Sequence, residues 1–384
     1  MLVNGERALA YVVTIDEIKP LPGYDRVEYA RTSGWWCVIS KNDELAVGDK
    51  CIYFEVDSKV PEDDERFSFL ASKKYKIKTQ KMCKVYSQGL LMPLSKFPEL
   101  GDLPVGADVT KRLGVMYHVA DDNARKANTV DKYKSMAQRQ GKLFSKEPFH
   151  WLMKREWGKK LLFVFFGRKK DKPRGFPEFA KKSDEERIEN MPFRIGDGRN
   201  YVISEKLDGT SCTYALKRKR FGYEFYVCSR NVRQRDENQN CYHDHNIYWD
   251  MAFKYNIKQH LKNYLNEHKD LDWIYIQGEG VGHVQGNPLK LAEDDLYIFN
   301  FVTSKEGRFN SYVAKDIVES WGMKHVPLLG MGKTQNTMEE MKEYADGMSV
   351  INPAVMREGL VYRSLDGIES FKNVSRKYLL KHNG

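Results

Sequence analysis

The chain has 384 residues, 41% of them hydrophobic and 30% charged, which is enough apolar sequence for two or more domains with cores of their own. The net charge of +10 at pH 7 favours a polyanionic partner, nucleic acid first, although surface charge that only serves solubility gives the same balance. The six cysteines include no CxxC pair, the first residues show no signal-peptide pattern, and the longest apolar run, residues 161–166, is too short to cross a bilayer. We therefore expect a cytoplasmic protein without structural disulfides or membrane spans.

Residues 1–112 contain short alternating runs that are typical of β-strands, with turn signals between them. The runs are residues 7–18, 27–30, 35–39 and 50–56, followed by a last strand within residues 88–94. Many short strands at this spacing predict a small barrel, and an OB fold fits the pattern. Residues 18–28 also resemble the opening of tRNA-binding OB-type domains. We therefore predict an OB-like nucleic-acid-binding domain.

Residues 73–81 hold five lysines beside Tyr75. Lysines beside an aromatic ring, on a strand or its loop, can bind a nucleic-acid backbone. The same composition also occurs in edge strands, where charge prevents aggregation. Because the whole chain is basic, we favour RNA contact here.

The stretch from 113 to 185 has weaker signals. We predict a basic connecting segment, with a short helix at residues 130–140 and lysine-rich loops at 159–160 and 167–175. Such basic runs are more often solvated loops than specific sites.

Residues 186–384 mix strands and helices without βαβ alternation, so we predict an α+β domain. The predicted strands are residues 201–204, 213–216, 223–228, 273–277 and 296–301, and the predicted helices are residues 247–268 and 312–321. A capping box at residues 337–340 predicts the start of another helix.

Lys206 lies at the end of the strand that begins at Tyr201, just before an Asp-Gly turn pair. A lysine amine is a nucleophile only when it is deprotonated, and its ordinary pKa of about 10.4 must be lowered, for example by nearby cations. The pattern Lys-x-Asp-Gly alone would equally suit a surface lysine before a hairpin turn.

Five further motifs follow Lys206 in order. They are the arginine of residues 228–231 (Arg230), the glutamate between glycines of residues 277–280 (Glu279), the aromatic strand 297–300 (Phe299), the glutamate-glycine of residues 357–363 (Glu358) and the lysines of residues 370–377 (Lys372 and Lys377). Together with residues 206–209 they resemble the covalent nucleotidyltransferases: DNA ligases, RNA ligases and mRNA capping enzymes. The chain is most similar to ATP-dependent RNA ligases of the Naegleria-like group, over residues 7–112 and 186–384.

The resemblance implies an OB-like β-barrel followed by an ATP-grasp-like nucleotidyltransferase domain of antiparallel sheets and helices. It implies that Lys206 attacks the α-phosphate of ATP and carries AMP covalently, with Lys372, and less directly Lys377, stabilising the phosphate charge. Asp208, Glu279 and Glu358 are hard oxygen ligands for Mg²⁺ or Mn²⁺, acting through water, and Glu279 has the ribose hydroxyls as an alternative ligand.

The remaining residues of the predicted site bind the nucleotide. By resemblance, Glu205 reads the adenine edge, Phe299 stacks on the base or else is a core aromatic, and Arg230 meets the ribose or a 5′-phosphate. Gly209, in the Asp-Gly turn, is also expected to bind the nucleotide. The expected partner is RNA with 3′-OH and 5′-phosphate ends, including a nicked duplex, and the expected state is a monomer.

Two alternative functions stay open. One is a DNA ligase or a GTP-dependent capping enzyme, against which we count the twelve residues that follow Lys372, too few for the further OB domain those enzymes carry there. Another is an inactive RNA-binding homologue, although every expected catalytic side chain is present. A zinc site at Cys241, His243 and His245 would need a fourth ligand that the sequence does not reveal.

Overall fold

The computed structural model describes residues 1–3, 6–117, 149–155, 175–234 and 246–382, with the isolated positions 146, 157, 158 and 162. The predicted helix 130–140, lysines 159–160, the basic loop before Gly175 and the zinc candidate at 241–245 lie outside these residues.

An N-terminal domain of short strands precedes the connecting segment. Its strands are β1 (Leu2–Val3), β2 (Glu6–Arg7), β3 (Ala10–Thr14), β4 (Glu17–Pro20), β5 (Val27–Thr32), β6 (Trp35–Ser40), β7 (Lys50–Phe54), β8 (Ser58–Lys59), β9 (Lys76–Ile77), β10 (Thr79–Met82), β11 (Val85–Gln88), β12 (Leu90–Pro93) and β13 (Met116–Tyr117). Short 3₁₀ helices cover Lys41–Asp43, Glu65–Lys73, Leu94–Lys96 and Pro98–Leu100.

Three antiparallel three-stranded sheets form this domain, next to the β10–β11 hairpin. Their strand orders are β4-β5-β6, β3-β7-β12 and β13-β8-β9. Side chains alternate strictly along β6, where Trp35, Cys37 and Ile39 are buried, because successive residues of a strand face opposite sides of the sheet. Tyr53 and Phe54 of β7 point into two separate clusters of the core. These small antiparallel sheets, with short 3₁₀ helices between them, agree with the predicted OB-like domain.

The C-terminal domain is built on two sheets. Its strands are β14 (Glu186–Arg187), β15 (Tyr201–Lys206), β16 (Thr210–Arg218), β17 (Tyr223–Cys228), β18 (Trp273–Val281), β19 (Asp295–Thr303), β20 (Gly307–Arg308), β21 (Lys324–His325), β22 (Leu328–Gly332), β23 (Gly359–Ser364) and β24 (Ser370–Val374). The helices are α1 (Phe149–Met153), in the connecting segment, then α2 (Ile247–Lys254), α3 (Ile257–Glu267), α4 (Ser311–Ser320), α5 (Met338–Ala345) and α6 (Arg376–His382), with 3₁₀ turns at Ile188–Asn190 and Pro192–Arg194.

The five-stranded sheet has the order β14-β24-β23-β15-β22. The six-stranded sheet has the order β17-β16-β18-β19-β20, and its sixth strand, β21, pairs with β19. Nearly all neighbours are antiparallel; β14 with β24 and β19 with β21 are parallel. Helices α2, α3 and α4 cover the six-stranded sheet and bury its largest cluster. The α+β prediction is confirmed.

The predicted helix 247–268 is two helices rather than one. Asn256 adopts a positive φ of 44° between α2 and α3. Asparagine tolerates this left-handed conformation better than most residues, so it ends one helix and begins the next. The periodicity alone did not reveal the break because both helices bury apolar side chains at the same spacing.

The two domains are docked through the stretch before the catalytic strand. Asn190 accepts hydrogen bonds from Trp35 Nε1 (2.6 Å) and the Tyr11 hydroxyl (3.2 Å). The Gly34 amide donates to the Glu189 carbonyl at 2.7 Å, where a β-carbon on Gly34 would lie 2.6 Å from that oxygen. Such close backbone contact fixes the N-terminal domain against the C-terminal one. No helix in the described part of the chain is long and apolar enough to span a membrane.

Candidate active site

The lysine stretch connects the two sheets of the C-terminal domain. Lys206 ends β15 of the five-stranded sheet, and the chain turns through Gly209 into β16 of the six-stranded sheet. Lys206 pairs with Gly359 in β23, which places Glu358 beside it, while Ser211 pairs with Glu279 in β18. Antiparallel pairing therefore gathers three motifs that are far apart in the sequence.

Gly209 allows this turn because of its neighbours. A β-carbon at this position would lie 2.3 Å from the carbonyl oxygen of Gly280 and 3.1 Å from Cγ of Glu279. Real β-carbons do not approach this closely, so only glycine fits without a shift of β18. Packing therefore requires a glycine at this position, whose predicted nucleotide binding stays a prediction.

Without bound nucleotide or metal, the protein favours the protonated form of Lys206. Its Nζ donates to Oε2 of Glu358 at 2.5 Å. Burial lowers the pKa of Lys206, but the carboxylates of Glu358 and Glu279, with a smaller contribution from Asp208, raise it above the ordinary value. The lowered pKa that a nucleophile needs therefore depends on an added cation.

The carboxylates around Lys206 crowd one another. Burial raises the pKa of Glu279 to about 8, and Glu358 and Asp208 add to the rise. The pKa of Glu358 is raised as well, first by burial and then by Asp208, against the opposing charge of Lys206. Ionisation of all these neighbouring acids is therefore unfavourable in the protein alone, and a cation bound among them would favour their charged forms.

These carboxylates suit a divalent cation bound through water. Within residues that the structure describes, no three His, Cys, Asp or Glu side chains are grouped tightly enough to hold a metal ion directly. Hard oxygen donors with unbalanced charge still fit hydrated Mg²⁺ or Mn²⁺, because Mg²⁺ usually keeps several of its waters. The water-mediated site predicted from the sequence at Asp208, Glu279 and Glu358 stays a prediction.

Asp208 has a partner that sequence reasoning missed. The hydroxyl of Tyr378, on α6, donates to Oδ2 of Asp208 at 2.7 Å, and the Tyr378 ring stacks on His382 with centroids 4.1 Å apart. Nothing in the sequence connects Tyr378 with Asp208, because 170 positions separate them.

Lys372 lies inside this region on β24, opposite Arg187 of β14. It is 8% exposed. Burial lowers the pKa of Lys372 to about 7, helped by the positive charges of Arg7 and Arg187. An anionic ligand such as a phosphate would restore its charge. Lys372 is thus well placed for the predicted stabilisation of phosphate charge. Arg7, from the N-terminal domain, also affects the charge of this site.

Lys377 is not gathered into this cluster. Its side chain is 63% exposed and forms an ion pair with Asp346 at 3.0 Å. The sequence-based role of Lys377 as a helper of Lys372 remains a prediction.

Arg230 forms part of a contact between domains. Its Nε donates to Oδ2 of Asp184 at 3.1 Å, and its guanidinium lies 4.8 Å from the ring centroid of Tyr117 in β13. Arg7 lies over the same ring at 5.5 Å. Sequence reasoning found Arg230 but missed Asp184 and Tyr117, which hold it.

Glu205 is buried on the other side of the catalytic strand. Its Oε2 accepts from the Val350 amide at 2.8 Å, and burial raises its pKa. Its Oε1 is buried without a hydrogen-bond partner among the described residues. A buried acceptor without a partner is costly, so this oxygen is suited to a donor on a ligand.

Phe299 is half-buried against a small apolar cluster that includes Leu207 and Val281. Arg363 donates to its carbonyl at 2.7 Å. The packing supports the reading as a core aromatic and leaves base stacking as a prediction.

Comparison with known proteins agrees with this architecture. A family model described as an OB-fold domain matches residues 9–94, and one described as RNA ligase matches residues 199–381. Comparison with curated protein sequences gives no match.

Solved structures of an RNA ligase from Naegleria gruberi are similar over nearly the whole chain. The form with pyrophosphate is 29% identical, covers 98% of this chain and 99% of that chain, and gives a TM-score of 0.74. Single-residue variants of that protein, one with ATP and manganese and one with AMP and manganese, are each 28% identical with TM-scores of 0.73 and 0.72; both cover 98% of this chain, and 100% and 99% of their own. Both domains and their order are shared, so the chain belongs to the RNA ligases, in the group that joins an N-terminal OB domain to a nucleotidyltransferase domain.

Proposed function

We propose that this RNA ligase works through a covalent AMP on Lys206. The main observation behind this proposal is the clustering of Lys206 with three carboxylates between the two sheets, and Lys372 lies close by. The carboxylates are those of Asp208, Glu279 and Glu358. The Naegleria ligase has been solved with ATP, AMP and manganese, which supports the same nucleotide and Mn²⁺ here. The enzyme is ATP-dependent.

In the first step the Lys206 amine attacks the α-phosphorus of ATP. A nitrogen–phosphorus bond forms, the bond to the bridging oxygen breaks, and pyrophosphate leaves. The proton on Lys206 passes to Glu358, whose Oε2 is already its hydrogen-bond acceptor. Lys372 stabilises the negative charge that develops on the phosphate oxygens.

A divalent cation, Mg²⁺ or Mn²⁺, held through water by Asp208, Glu279 and Glu358 would offset their charge and so lower the pKa of Lys206. Without such compensation these carboxylates keep Lys206 protonated.

Base selectivity rests on Glu205 in this proposal. Its unpartnered Oε1 would accept a hydrogen bond from the 6-amino group of adenine. Guanine carries a carbonyl oxygen at that position, which would face the carboxyl group without a donor. ATP is therefore preferred over GTP, and this argues against a capping enzyme.

The remaining steps transfer AMP to RNA. An oxygen of the RNA 5′-phosphate attacks the AMP phosphorus, Lys206 leaves, and an RNA-adenylate with a pyrophosphate bridge results. An RNA 3′-OH then attacks the 5′-phosphorus of the RNA and AMP leaves, which closes the backbone. We propose that the acceptor ends are 3′-OH and 5′-phosphate, that a nicked duplex is among the substrates, and that the ligase acts as a cytoplasmic monomer.

The test is attachment of AMP without RNA. Protein freed of bound AMP is incubated with α-labelled ATP or GTP and Mn²⁺ or Mg²⁺, denatured, and mapped by mass spectrometry. We expect label from ATP on Lys206 and none in Lys206→Ala. Label retained in that variant would refute the assignment of the nucleophile.

Two other outcomes point to the alternatives. Label from GTP rather than ATP would indicate capping chemistry. No label from either nucleotide, in folded wild-type protein, would indicate an RNA-binding homologue without transferase activity.

A further inference from the structure

A strongly basic surface lies beside the proposed active site, and its hairpin lysines take no part in the chemistry described above. It consists of the β10–β11 hairpin, residues 79–88, and helix α6, and we call it the hairpin–helix surface. The segment that leads into the hairpin and reaches its tip, residues 73–84, contains six lysines and no acidic residue. Such a segment repels itself unless an anion covers it.

The lysines of the hairpin are available for a ligand. Lys81 and Lys84 are exposed, and neither forms an ion pair with another described residue. The Lys81 ammonium lies 5.9 Å from the ring centroid of Tyr86 on the paired strand. Cations presented next to an aromatic ring fit the phosphates and bases of a nucleic acid.

At the hairpin tip, Lys84 occupies a backbone conformation that favours glycine. Cys83 and Lys84 connect the paired residues Met82 and Val85, and both adopt positive φ, 50° and 66°. Two-residue turns of this kind strongly favour Asn-Gly, because a side chain at positive φ costs free energy. A functional contact of the Lys84 charge would offset the strain of this conformation.

Helix α6 attaches the hairpin to the catalytic domain. The helix packs against β10. At its start, Arg376 donates to Oε1 of Gln88 at 2.9 Å, and its guanidinium lies 5.4 Å from the centre of the Tyr86 ring. The hairpin of the N-terminal domain is therefore held in one place relative to the ligase domain.

The same helix reaches the active site. Tyr378 donates a hydrogen bond to Asp208, and Lys377 and Lys381 of the same helix are exposed. Helix α6 thus carries exposed basic side chains and contacts both Asp208 and the hairpin strand β10.

We propose that the hairpin–helix surface binds the phosphate backbone of the RNA that flanks the join, and so positions the RNA end at Lys206. This inference rests on the proposed RNA-joining function and adds the path of the substrate. Binding is electrostatic and independent of sequence, since no base-reading side chain is required. It predicts that AMP attachment, which needs no RNA, is unaffected by substitution of the hairpin lysines Lys81 and Lys84.

The experiment compares Lys81→Ala/Lys84→Ala with a control, Lys258→Ala/Lys262→Ala, which removes two exposed lysines of α3 that lack ion pairs with described residues. Each purified protein is assayed for AMP attachment from ATP and Mn²⁺, for joining of a nicked RNA duplex with a 5′-phosphate, and for binding of that duplex at several salt concentrations.

We expect unchanged AMP attachment in all proteins and joining on the order of tenfold slower in the hairpin variant alone at subsaturating RNA. The slope of log affinity against log salt should become shallower by about 1.4 to 1.8, as expected for two lost phosphate contacts. Lys81→Arg/Lys84→Arg should restore joining because the charge is kept.

A second variant guards against a folding artefact. Lys84→Gly relieves the positive φ at the tip, so we expect a melting temperature equal to or above that of the wild type, with joining still reduced. Joining and salt slope equal to wild type in both hairpin variants, or an equal loss in the α3 control, would overturn the proposal. Loss of AMP attachment in the hairpin variants would also overturn it, whereas absence of attachment in the wild type would instead remove the proposed function itself.

Discussion

The hydroxyl of Tyr378 on the last helix donates a 2.7 Å hydrogen bond to Asp208, two residues beyond the proposed nucleophile. This bond holds one carboxylate oxygen of Asp208 in place. A single side chain thus connects the end of the described chain to its central motif.

Tyr378→Phe removes this hydrogen bond and little else. Hydrogen bonds to charged groups contribute about 1.5–3 kcal/mol, so we expect a roughly ten- to hundredfold slower AMP attachment and a higher Mn²⁺ concentration for half-maximal rate. Tyr344→Phe, at an exposed tyrosine, is the control. An unchanged Mn²⁺ dependence with slower attachment would assign Tyr378 a purely structural role.

The charge of Lys372 should make ATP binding dependent on pH. Its pKa in the free protein is about 7, because of burial and neighbouring positive charges, and bound phosphate must raise it. The protonated form binds, so ATP affinity should be constant below pH 7 and decline above it, by at most about tenfold per pH unit.

The measurement uses Lys206→Arg, which cannot form the AMP adduct but keeps the positive charge beside Lys372. Binding of ATP is titrated from pH 6 to 9. Adding Lys372→Arg should flatten the profile, because a guanidinium stays protonated throughout this range. A decline that persists in the double variant would assign the titration to another group.

Gly209→Ala should damage both stability and catalysis. The new methyl group would overlap the Gly280 carbonyl and force β16 and β18 apart at Glu279. Overpacking of this kind costs about 1–3 kcal/mol in unfolding free energy, and a displacement of about 1 Å at the site can cost on the order of a hundredfold in rate.

Gly175→Ala is the matched control, because a β-carbon there meets no atom within 4 Å. Urea unfolding and the rate of AMP attachment are compared for both variants. Wild-type rates in Gly209→Ala would show that β18 yields without moving Glu279.

A buried ion pair lies at Glu189, whose carbonyl oxygen contacts the N-terminal domain. Lys342 Nζ lies 2.6 Å from Oε1 of Glu189, and both side chains are almost fully buried. Burial lowers the pKa of Lys342 to about 8, with Glu189 opposing the shift. Lys342→Met leaves Glu189 without this partner, so we expect a loss of about 3–5 kcal/mol in the free energy of unfolding.

The double variant Lys342→Met/Glu189→Leu should recover most of that loss, because no buried charge is left unpaired. Denaturant unfolding of the single and double variants tests this. A double variant as unstable as the single one would mean that packing, rather than the unpaired charge, dominates.

Much of the site was predictable because its motifs are local. Lys206, Asp208 and Gly209 lie in one turn, and Glu279, Glu358 and Lys372 each carry a recognisable neighbourhood of glycines or lysines. Periodicity likewise located the main strands, although it could not show that Asn256 divides the helix after residue 246.

The sequence by itself determined the order of the two domains and the residue types available for nucleotidyl transfer, since both depend on short stretches of chain. The tertiary structure decided the charge states of those residues and their supporting partners. Despite burial, neighbouring carboxylates raise the pKa of Lys206, whereas burial and neighbouring positive charges lower that of Lys372. The supporting contacts, Asp208 with Tyr378 and Arg230 with Asp184, join residues that are far apart in the chain. Electrostatic energies change steeply with burial and separation, and neither quantity can be read from local sequence.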